Sequence, residues 1–497
     1  MNNRIKILWP VYDLYKGDNQ FVGIMIMSSL LKQHGFESYV IEADFRDIEK
    51  IILDKGISIV AFSTPTVYCQ EYLKLNKKIK SKFNVFSVFG GPHPTYFPEM
   101  INEEGVDCVC VGEGEYPMLE LVRALEEGSP IGDIQNLWVK KEQKVFKNNV
   151  RPLVKHLDEL PLPDHDLFRK AVPHATWKAV VLTSRGCPYH CSYCYNNAYK
   201  KIYEGMGPLV RRRSVDNVIE ELRLVKRHKC YQYIQFLDDL FTLSGDWIKE
   251  FSIKYKREVD LPFSCLVRAD FVTEEMIRDL KLAGCCRILV GVETGDNELR
   301  KNIFKRSMTD ESIINACKMI KKEGIKLMTA NILGIPGGSI ESDFKTMELN
   351  VRLKPDYAGV NLLQPYKGTE IHDIAKKMGM IREEEGDRRE ATVSKTSTLY
   401  YAKSIDKRMV ENFQKLFPIA VEFPSLIPII KKLILLPQNK LYYLIFAAWV
   451  NYCHYFRIIP VGIGLKNVWK RAKLYHRCVL FLRNFKILIQ APGEEHA

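Results

Sequence analysis

Short runs of β-branched and aromatic residues alternate with amphipathic stretches through the first 130 residues of the chain. Ile5–Trp9, Ser38–Glu42, Ile57–Ser63, Val85–Phe89 and Asp107–Val111 read as strands, while Phe21–His34 and Tyr72–Lys82 carry helical apolar spacing. Five strand–helix units of this length predict a doubly wound, flavodoxin- or Rossmann-like parallel sheet. A second series follows. Ala179–Gly186 is an apolar run ending in polar residues and glycine, as a buried parallel strand does where it feeds a loop. Tyr233–Leu237, Phe263–Val267, Ile288–Val292, Lys326–Leu333 and Val360–Leu363 repeat the pattern. Helical connections separate them, among them Val215–Arg227, for which Ser214 is a candidate cap. Six such strands with helical connections predict a second parallel α/β unit, with ligands at the carboxyl ends of the strands. Residues 151–175 hold four prolines without periodicity and read as a linker. The expected division is therefore 1–150, a linker over 151–175, a second α/β unit over 176–375, and a helical C-terminal region over 376–497.

Composition alters this picture at one end only. A chain of 497 residues exceeds a single ordinary core, and 46% hydrophobic with 27% charged residues is a globular profile. Thirteen cysteines without paired spacing, and an N-terminus that runs straight into a strand without a signal-peptide pattern, point to a reducing cytoplasm. Of the formal charge of +13, eleven positive charges lie between Phe423 and Ala491, a stretch without Asp or Glu, which leaves +2 for the rest. Phe423–Pro437 and Leu441–Phe456 are apolar but interrupted, too broken to span a bilayer. The later segment LKNVWKRAKLYHRCVLFLRNFKILI mixes aromatic and aliphatic residues with unopposed cations, the composition of a helix lying in an anionic membrane surface. Packing on the second α/β unit, an oligomer interface and a nucleic-acid contact are the alternatives, the last disfavoured by the richness in Leu, Ile and Phe.

Cys187, Cys191 and Cys194 stand in SRGCPYHCSYC, three thiols spaced x3 then x2. Thiolates are the usual ligands of iron–sulfur clusters, and a [4Fe-4S] cube offers four iron corners. Three cysteines in one tight loop hold three corners and leave the fourth open. An incomplete protein ligand set reads as catalytic, by the logic that separates open from closed zinc sites. Zinc, with His190 as fourth ligand, is the rival; zinc ribbons normally bring two separated pairs, and no partner pair follows. Cys230, Cys265, Cys285, Cys286 and Cys317 follow no ligand spacing and read as small core residues.

This triplet resembles the radical S-adenosylmethionine (SAM) superfamily, and the resemblance covers residues 1 to about 375. It implies that the α/β strands of 176–375 form that superfamily's partial (β/α)6 barrel of TIM type, with its chemistry at the carboxyl ends of the strands. It implies that the open iron chelates SAM and that Tyr193, just before the third cysteine, packs near the adenine. At the strand ends it implies Asp238 and Asp239 at SAM's amine, Arg268 and Glu293 at its carboxylate or ribose, and Gly334 in the adenine wall (Asn331–Gly337). Read from the residues alone, the adjacent pair Asp238-Asp239 also suits a general acid/base pair or a divalent-metal site, and a lone Arg or Glu at a strand end suits a surface ion pair.

The first domain resembles the cobalamin-binding domain that precedes the barrel in one branch of that superfamily. The residues that carry this are Ser63 and Thr64 after the third strand, Gly90-Gly91-Pro92-His93 after the fourth, and Gly112-Glu113-Gly114 after the fifth. Ordinary tight turns are the bland alternative. The first loop, Asp13-Leu14-Tyr15-Lys16-Gly17, lacks the histidine of the Asp-x-His-x-x-Gly pattern, so a cobalamin without a histidine ligand is implied. The resemblance therefore implies a cobalamin-dependent enzyme that generates a 5′-deoxyadenosyl radical and methylates an unactivated carbon. It also implies a low-potential electron donor of flavodoxin or ferredoxin type. Oxidation or ring closure, as in anaerobic porphyrin cyclases, is a second outcome; a sensor that binds cobalamin without catalysis is a third. The tail suggests a hydrophobic, lipid-like or membrane-associated small-molecule substrate and a peripheral position on the inner membrane face.

Overall fold

The computed structural model describes residues 4–14, 20–142, 144–173, 177–381 and 396–458. The first sheet is built from β1 (Lys6–Val11), β2 (Glu37–Glu42), β3 (Ile59–Ser63), β4 (Phe86–Gly90), β5 (Cys108–Cys110), β6 (Leu137–Lys141) and β7 (Lys144–Lys147). Its order is β2-β1-β3-β4-β5-β6-β7. The first five strands are parallel, and β6 and β7 add antiparallel at the β5 edge. That edge hairpin is absent from the sequence-based expectation. Period-two alternation explains why the sheet is covered on both faces. Ile7 and Trp9 pack with Val22 and Leu31 on one side, whereas Leu8, Val60 and Phe62 pack with Ile48 and Tyr72 on the other. The chain runs outward from β1 to β2 and then back past β1 to β3, so the switch point lies between β1 and β3, where such sheets bind ligands.

The second sheet comprises β8 (Lys178–Val181), β11 (Tyr233–Phe236), β12 (Phe263–Val267), β13 (Cys285–Glu293), β14 (Lys326–Leu333) and β15 (Tyr357–Leu362). All neighbours are parallel and the order is sequential, β15-β14-β13-β12-β11-β8. No pairing joins β8 to β15 among the described residues, so the sheet keeps two edges. The expected single strand over Ala179–Gly186 is divided. After Val181 the chain leaves the sheet, and β9 (Ser184–Arg185) pairs antiparallel with β10 (Arg211–Arg212). The cause is Asp238, fully buried at the end of β11, which accepts from Thr183 N (3.0 Å), Thr183 Oγ1 (2.7 Å) and Ser184 Oγ (2.5 Å).

Two further segments hold the assembly together. The proline-rich stretch is packed rather than loose: Leu153, Leu157, Leu160 and Phe168 are buried. Asp164 accepts from Ser28 Oγ (2.7 Å) and pairs with Lys32 on the first domain's helix Val22–Gln33. The next residue, His165, meets Glu221 at 2.7 Å on the helix Val215–Arg227 of the second. At the other end, helix Ser404–Glu422 lays Phe413, Leu416, Phe417 and Ala420 against Leu333, Ala358, Val360 and Leu362. Packing on the strands of the second sheet thus accounts for this part of the C-terminal region. No helix among the described residues is long and apolar enough to cross a membrane. The acidic and polar segment Arg382–Arg389 and the basic segment after Ile458 lie outside the described residues.

Phe417 has no exposed surface in that cluster, so Phe417→Ala removes a buried ring and leaves a cavity. A loss of about 3–5 kcal/mol is expected in urea unfolding, detectable in the transition that reports the second sheet.

Candidate active site between the two sheets

A cavity of about 820 Å³ separates the carboxyl ends of β1, β3, β4 and β5 from the cysteine loop. Trp9, Ser63, Gly90, Gly91 and Cys110 line it from the first sheet; Cys194, Tyr195, Asn196 and Asp239 line it from the second. It opens at the switch point of the first sheet, as the topology requires. Bare backbone faces it in places. A Cβ on Gly23 would meet nothing within 4 Å, and one on Gly90 would meet only Cys110, at 3.6 Å. A wide apolar cradle with exposed main chain fits a large planar ligand such as a corrin.

The cysteine loop is held from several sides. Gly186, at φ +83°, precedes Cys187, and a Cβ there would stand 2.2 Å from the Leu209 carbonyl, so only glycine permits this entry. Ser192 Oγ donates to Ile303 O (2.5 Å), Ser192 N to Phe304 O (3.2 Å), and Ile371 N to Ser192 O (2.9 Å). Lys200 Nζ donates to the carbonyls of Pro188 (3.0 Å) and Tyr189 (2.5 Å). Cys191 is buried, and two guanidinium groups aim at its sulfur: Arg268 Nη1 at 3.8 Å and Arg306 Nη1 at 3.7 Å. Burial pushes the Cys194 thiol up to about 11 and raises that of Cys187, so a bound cation is what would keep them as thiolates. Among the described residues no group of three or more His, Cys, Asp or Glu converges on one metal ion. A cube does not ask for that, because its thiolates bind separate irons. Three cysteines on one pinned loop, with cationic donors at a sulfur, suit a negatively charged cluster.

The other expected residues divide into those that face the cavity and those that stand behind it. Asp238 spends its oxygens on Thr183 and Ser184, whereas its neighbour Asp239 faces the cavity, its carboxyl pushed up by burial. Arg268 is held by Asp270 through Nε (2.7 Å) and Nη2 (3.1 Å), and its guanidinium lies 3.7 Å over the Tyr189 ring. Glu293 ends β13 at φ +65°, beside a register shift between Gly291 and Glu293. Such backbone is strained for a non-glycine residue and marks positions where side-chain aim matters. Burial raises the Glu293 carboxyl, while Arg306, 3.9 Å away, opposes that shift. Tyr193 faces the cavity, packs on Phe304 (ring centroids 4.6 Å) and accepts from Arg306 Nη1 (3.0 Å). Ser63, Gly90, Gly91, Pro92, Gly112, Glu113 and Gly114 line the cavity; Thr64 and His93 do not. Thr64 N instead donates to Gly90 O (2.7 Å), and His93 N to Thr64 O (2.9 Å), which fixes the turn from behind.

Arg306 stands at the cysteine loop without any mark in the sequence pattern. It touches Cys191, Tyr193 and the Gly291 carbonyl, yet it follows β13 by a dozen residues in a stretch without pattern. Tyr195 and Tyr366 carry no such mark either; Tyr195 stacks on Tyr96 (ring centroids 4.3 Å) and Tyr366 lies tilted against Tyr195 (5.3 Å), all three along the cavity.

Gly334 sits over Asp343, which accepts from its N–H (3.2 Å). Burial pushes the Asp343 carboxyl up to about 8, far above its unfolded value. A raised acid binds more protons folded than unfolded, so its contribution is intact below the unfolded value and is lost as pH climbs toward 8. Asp343→Asn is expected to flatten the fall in thermal midpoint between pH 4 and pH 8, read by scanning calorimetry of the whole protein.

Comparison with known proteins gives this geometry a lineage. Residues 181–349 match the radical SAM superfamily and residues 9–122 match the B12 binding domain. An uncharacterized methyltransferase of Pyrococcus horikoshii is 32% identical over 370 residues, covering 71% of this chain and 78% of that protein. An anaerobic magnesium-protoporphyrin IX monomethyl ester cyclase of Rubrivivax gelatinosus is 24% identical over 331 residues, 64% of this chain and 57% of that one. Among solved structures, the cobalamin-dependent SAM radical enzyme OxsB, with aqua-cobalamin and SAM bound, superposes with a TM-score of 0.68 at 16% identity, covering 91% of this chain and 71% of that one. The radical SAM methyltransferase TsrM of Kitasatospora setae, with cobalamin and a [4Fe-4S] cluster bound, gives 0.63 at 18% identity and 76% of each chain. With both domains matched in order, and the cavity lying between them, the chain belongs to the cobalamin-dependent radical SAM enzymes, whose cofactors are a [4Fe-4S] cluster, SAM and cobalamin.

Proposed function

We propose that this enzyme methylates an unactivated carbon of an apolar small molecule held between the two sheets. The observation that carries the reading is the continuous cavity from the strand ends of the first sheet to Cys194. Together the three cofactors supply hydrogen-atom abstraction and a methyl donor, the hard chemistry that side chains lack. What remains for the chain is holding, aiming and keeping water out. Cys187, Cys191 and Cys194 are assigned to the cluster; Asp239, Arg268, Glu293, Arg306 and Tyr193 to SAM. Ser63 and the Gly90-Gly91-Pro92 turn are assigned to cobalamin. Leu157, Leu160, Leu237, Tyr96, Tyr195 and Tyr366 line the remaining wall and match an apolar substrate better than a charged one.

A supporting observation concerns where that substrate resides. Leu426, Ile429, Leu435, Leu436, Leu441, Leu444 and Phe456 are exposed, beside Lys431, Lys432 and Lys440, in a stretch with no acidic residue. Apolar side chains beside unopposed cations suit the surface of an anionic bilayer. We assign this edge to reversible contact with the membrane that holds the substrate.

Two experiments test these readings. In a cell extract supplied with methyl-labelled SAM and a low-potential reductant, labelled product is expected in the lipid-soluble fraction, and Cys191→Ala, having lost most of its iron, forms none. An oxidised or cyclised product without label replaces methylation by the cyclase reading. In flotation, the full chain is expected to rise with vesicles containing phosphatidylglycerol and to stay behind with phosphatidylcholine alone. Leu441→Glu/Leu444→Glu is expected to cut the floated fraction at least fivefold, and equal flotation of variant and parent removes the membrane assignment.

A further inference from the structure

The Gly112–Glu115 turn lines the cavity, but its carboxylates are spent elsewhere. Glu113 Oε1 receives Arg185 Nη1 (2.7 Å) and Arg211 Nη2 (2.9 Å), and Glu113 Oε2 receives Arg211 Nη1 (3.0 Å) and the Val154 N–H (3.1 Å). Glu115 Oε1 takes the remaining fork of Arg185 at 2.5 Å. Arg211 Nη1 also donates to the Val154 carbonyl (2.8 Å). Arg185 and Arg211 stand directly opposite each other in the β9–β10 ladder, and β9 leads through Gly186 into Cys187. On the other side of the turn, Tyr203 Oη, just past the helix Tyr195–Ile202, accepts from the Glu113 N–H (3.1 Å). It lies so close over Gly112 that a Cβ there would stand 1.8 Å from the oxygen; Gly112 has φ +82°.

Glu113 is therefore the point where the first domain, the 151–173 segment and both flanks of the cysteine loop meet. Two carboxylates balance two guanidinium groups, and the Arg211 and Glu115 side chains are almost fully buried. Charge-assisted, bidentate bonds of this kind are the strongest and most directional that side chains make. Removing one partner of a buried pair leaves the other charge uncompensated.

We infer that Glu113 is a positioning residue: by gripping Arg185 and Arg211 it fixes the separation and tilt of the cobalamin cradle relative to the cluster loop. The inference rests on the family assignment of the two cofactors and is independent of whether the product is methylated or cyclised. It differs from the role that the sequence resemblance implies, contact of Glu113 with cobalamin itself.

The test needs no substrate. Wild type, Glu113→Gln and the control Glu104→Gln, whose ion pair with Lys77 is exposed and away from 151–173, are loaded with cluster and cobalamin and assayed for iron and corrinoid. They are then reduced so that cob(II)alamin and the cluster are both paramagnetic. The relaxation enhancement that the cluster imposes on the cobalamin signal reports their separation. Glu113→Gln is expected to keep iron and corrinoid within about 20% of wild type, to lose at least threefold of the enhancement, and to be cut at least fivefold faster by protease within 151–173. The control is expected to match wild type in all three. Unchanged enhancement in a fully loaded Glu113→Gln overturns the inference. Corrinoid loss with wild-type proteolysis also overturns it and returns Glu113 to the cobalamin ligands. Should Glu113→Gln fail to fold, Arg211→Lys is read instead: it keeps the charge but loses the fork, and wild-type enhancement in that variant equally overturns the inference.

Discussion

Two reactive centres on separate sheets are useful only at one mutual distance, and the buried quartet of Glu113, Glu115, Arg185 and Arg211 is the contact that sets it. Hydrophobic burial brings the two sheets together, but it is non-directional and tolerates sliding. Forked guanidinium–carboxylate bonds do not. They tie the turn after β5 to the hairpin that delivers Cys187, so the position of the cluster loop is set from the first domain as well as from its own strand. The proline-rich stretch works to the same end, with Asp164 bonded to one domain and His165 to the other.

Electrostatics around the cysteine loop follow a second logic. Arg268 and Arg306 bring two positive charges to Cys191, and each is held by something other than the sulfur. Asp270 grips the first; the Gly291 carbonyl and Tyr193 grip the second. Donors fixed this way lower the cost of accumulating negative charge at a sulfur, and hydrogen bonds to cluster sulfurs are among the factors that set a reduction potential. The strained Glu293 sits within the same arrangement, its carboxylate facing Arg306. Burial and charge thus oppose each other at Glu293 and at Arg306.

The C-terminal region does two things at once. Its first helix completes the outer core of the second sheet through Phe413 and Phe417, while residues 424–456 turn leucines and lysines outward. Tyr401 lies against Gly334, so this region also reaches the wall expected to face adenine.

Much of this was legible in the linear chain. Short β-rich runs separated by helical spacing located the parallel strands of both sheets, because strands buried on both faces leave near-continuous apolar runs in sequence. The x3–x2 cysteine spacing located the cluster loop, because ligands contributed by one loop must be close in sequence. The edge hairpin β6–β7, the break after Val181 and the packing of residues 151–173 were not legible, since each depends on partners far along the chain. The same is true of the site. Nothing local separates Asp238 from Asp239; only the buried Thr183 and Ser184 donors decide that one is structural and the other faces the cavity. Nothing local marks Arg306, or tells Glu113 that its partners are Arg185 and Arg211. Sequence alone determined which cofactor chemistries this chain can host, whereas the tertiary structure decided which charges face each other, because pairing in a buried interface depends on distance in space and not on separation along the chain.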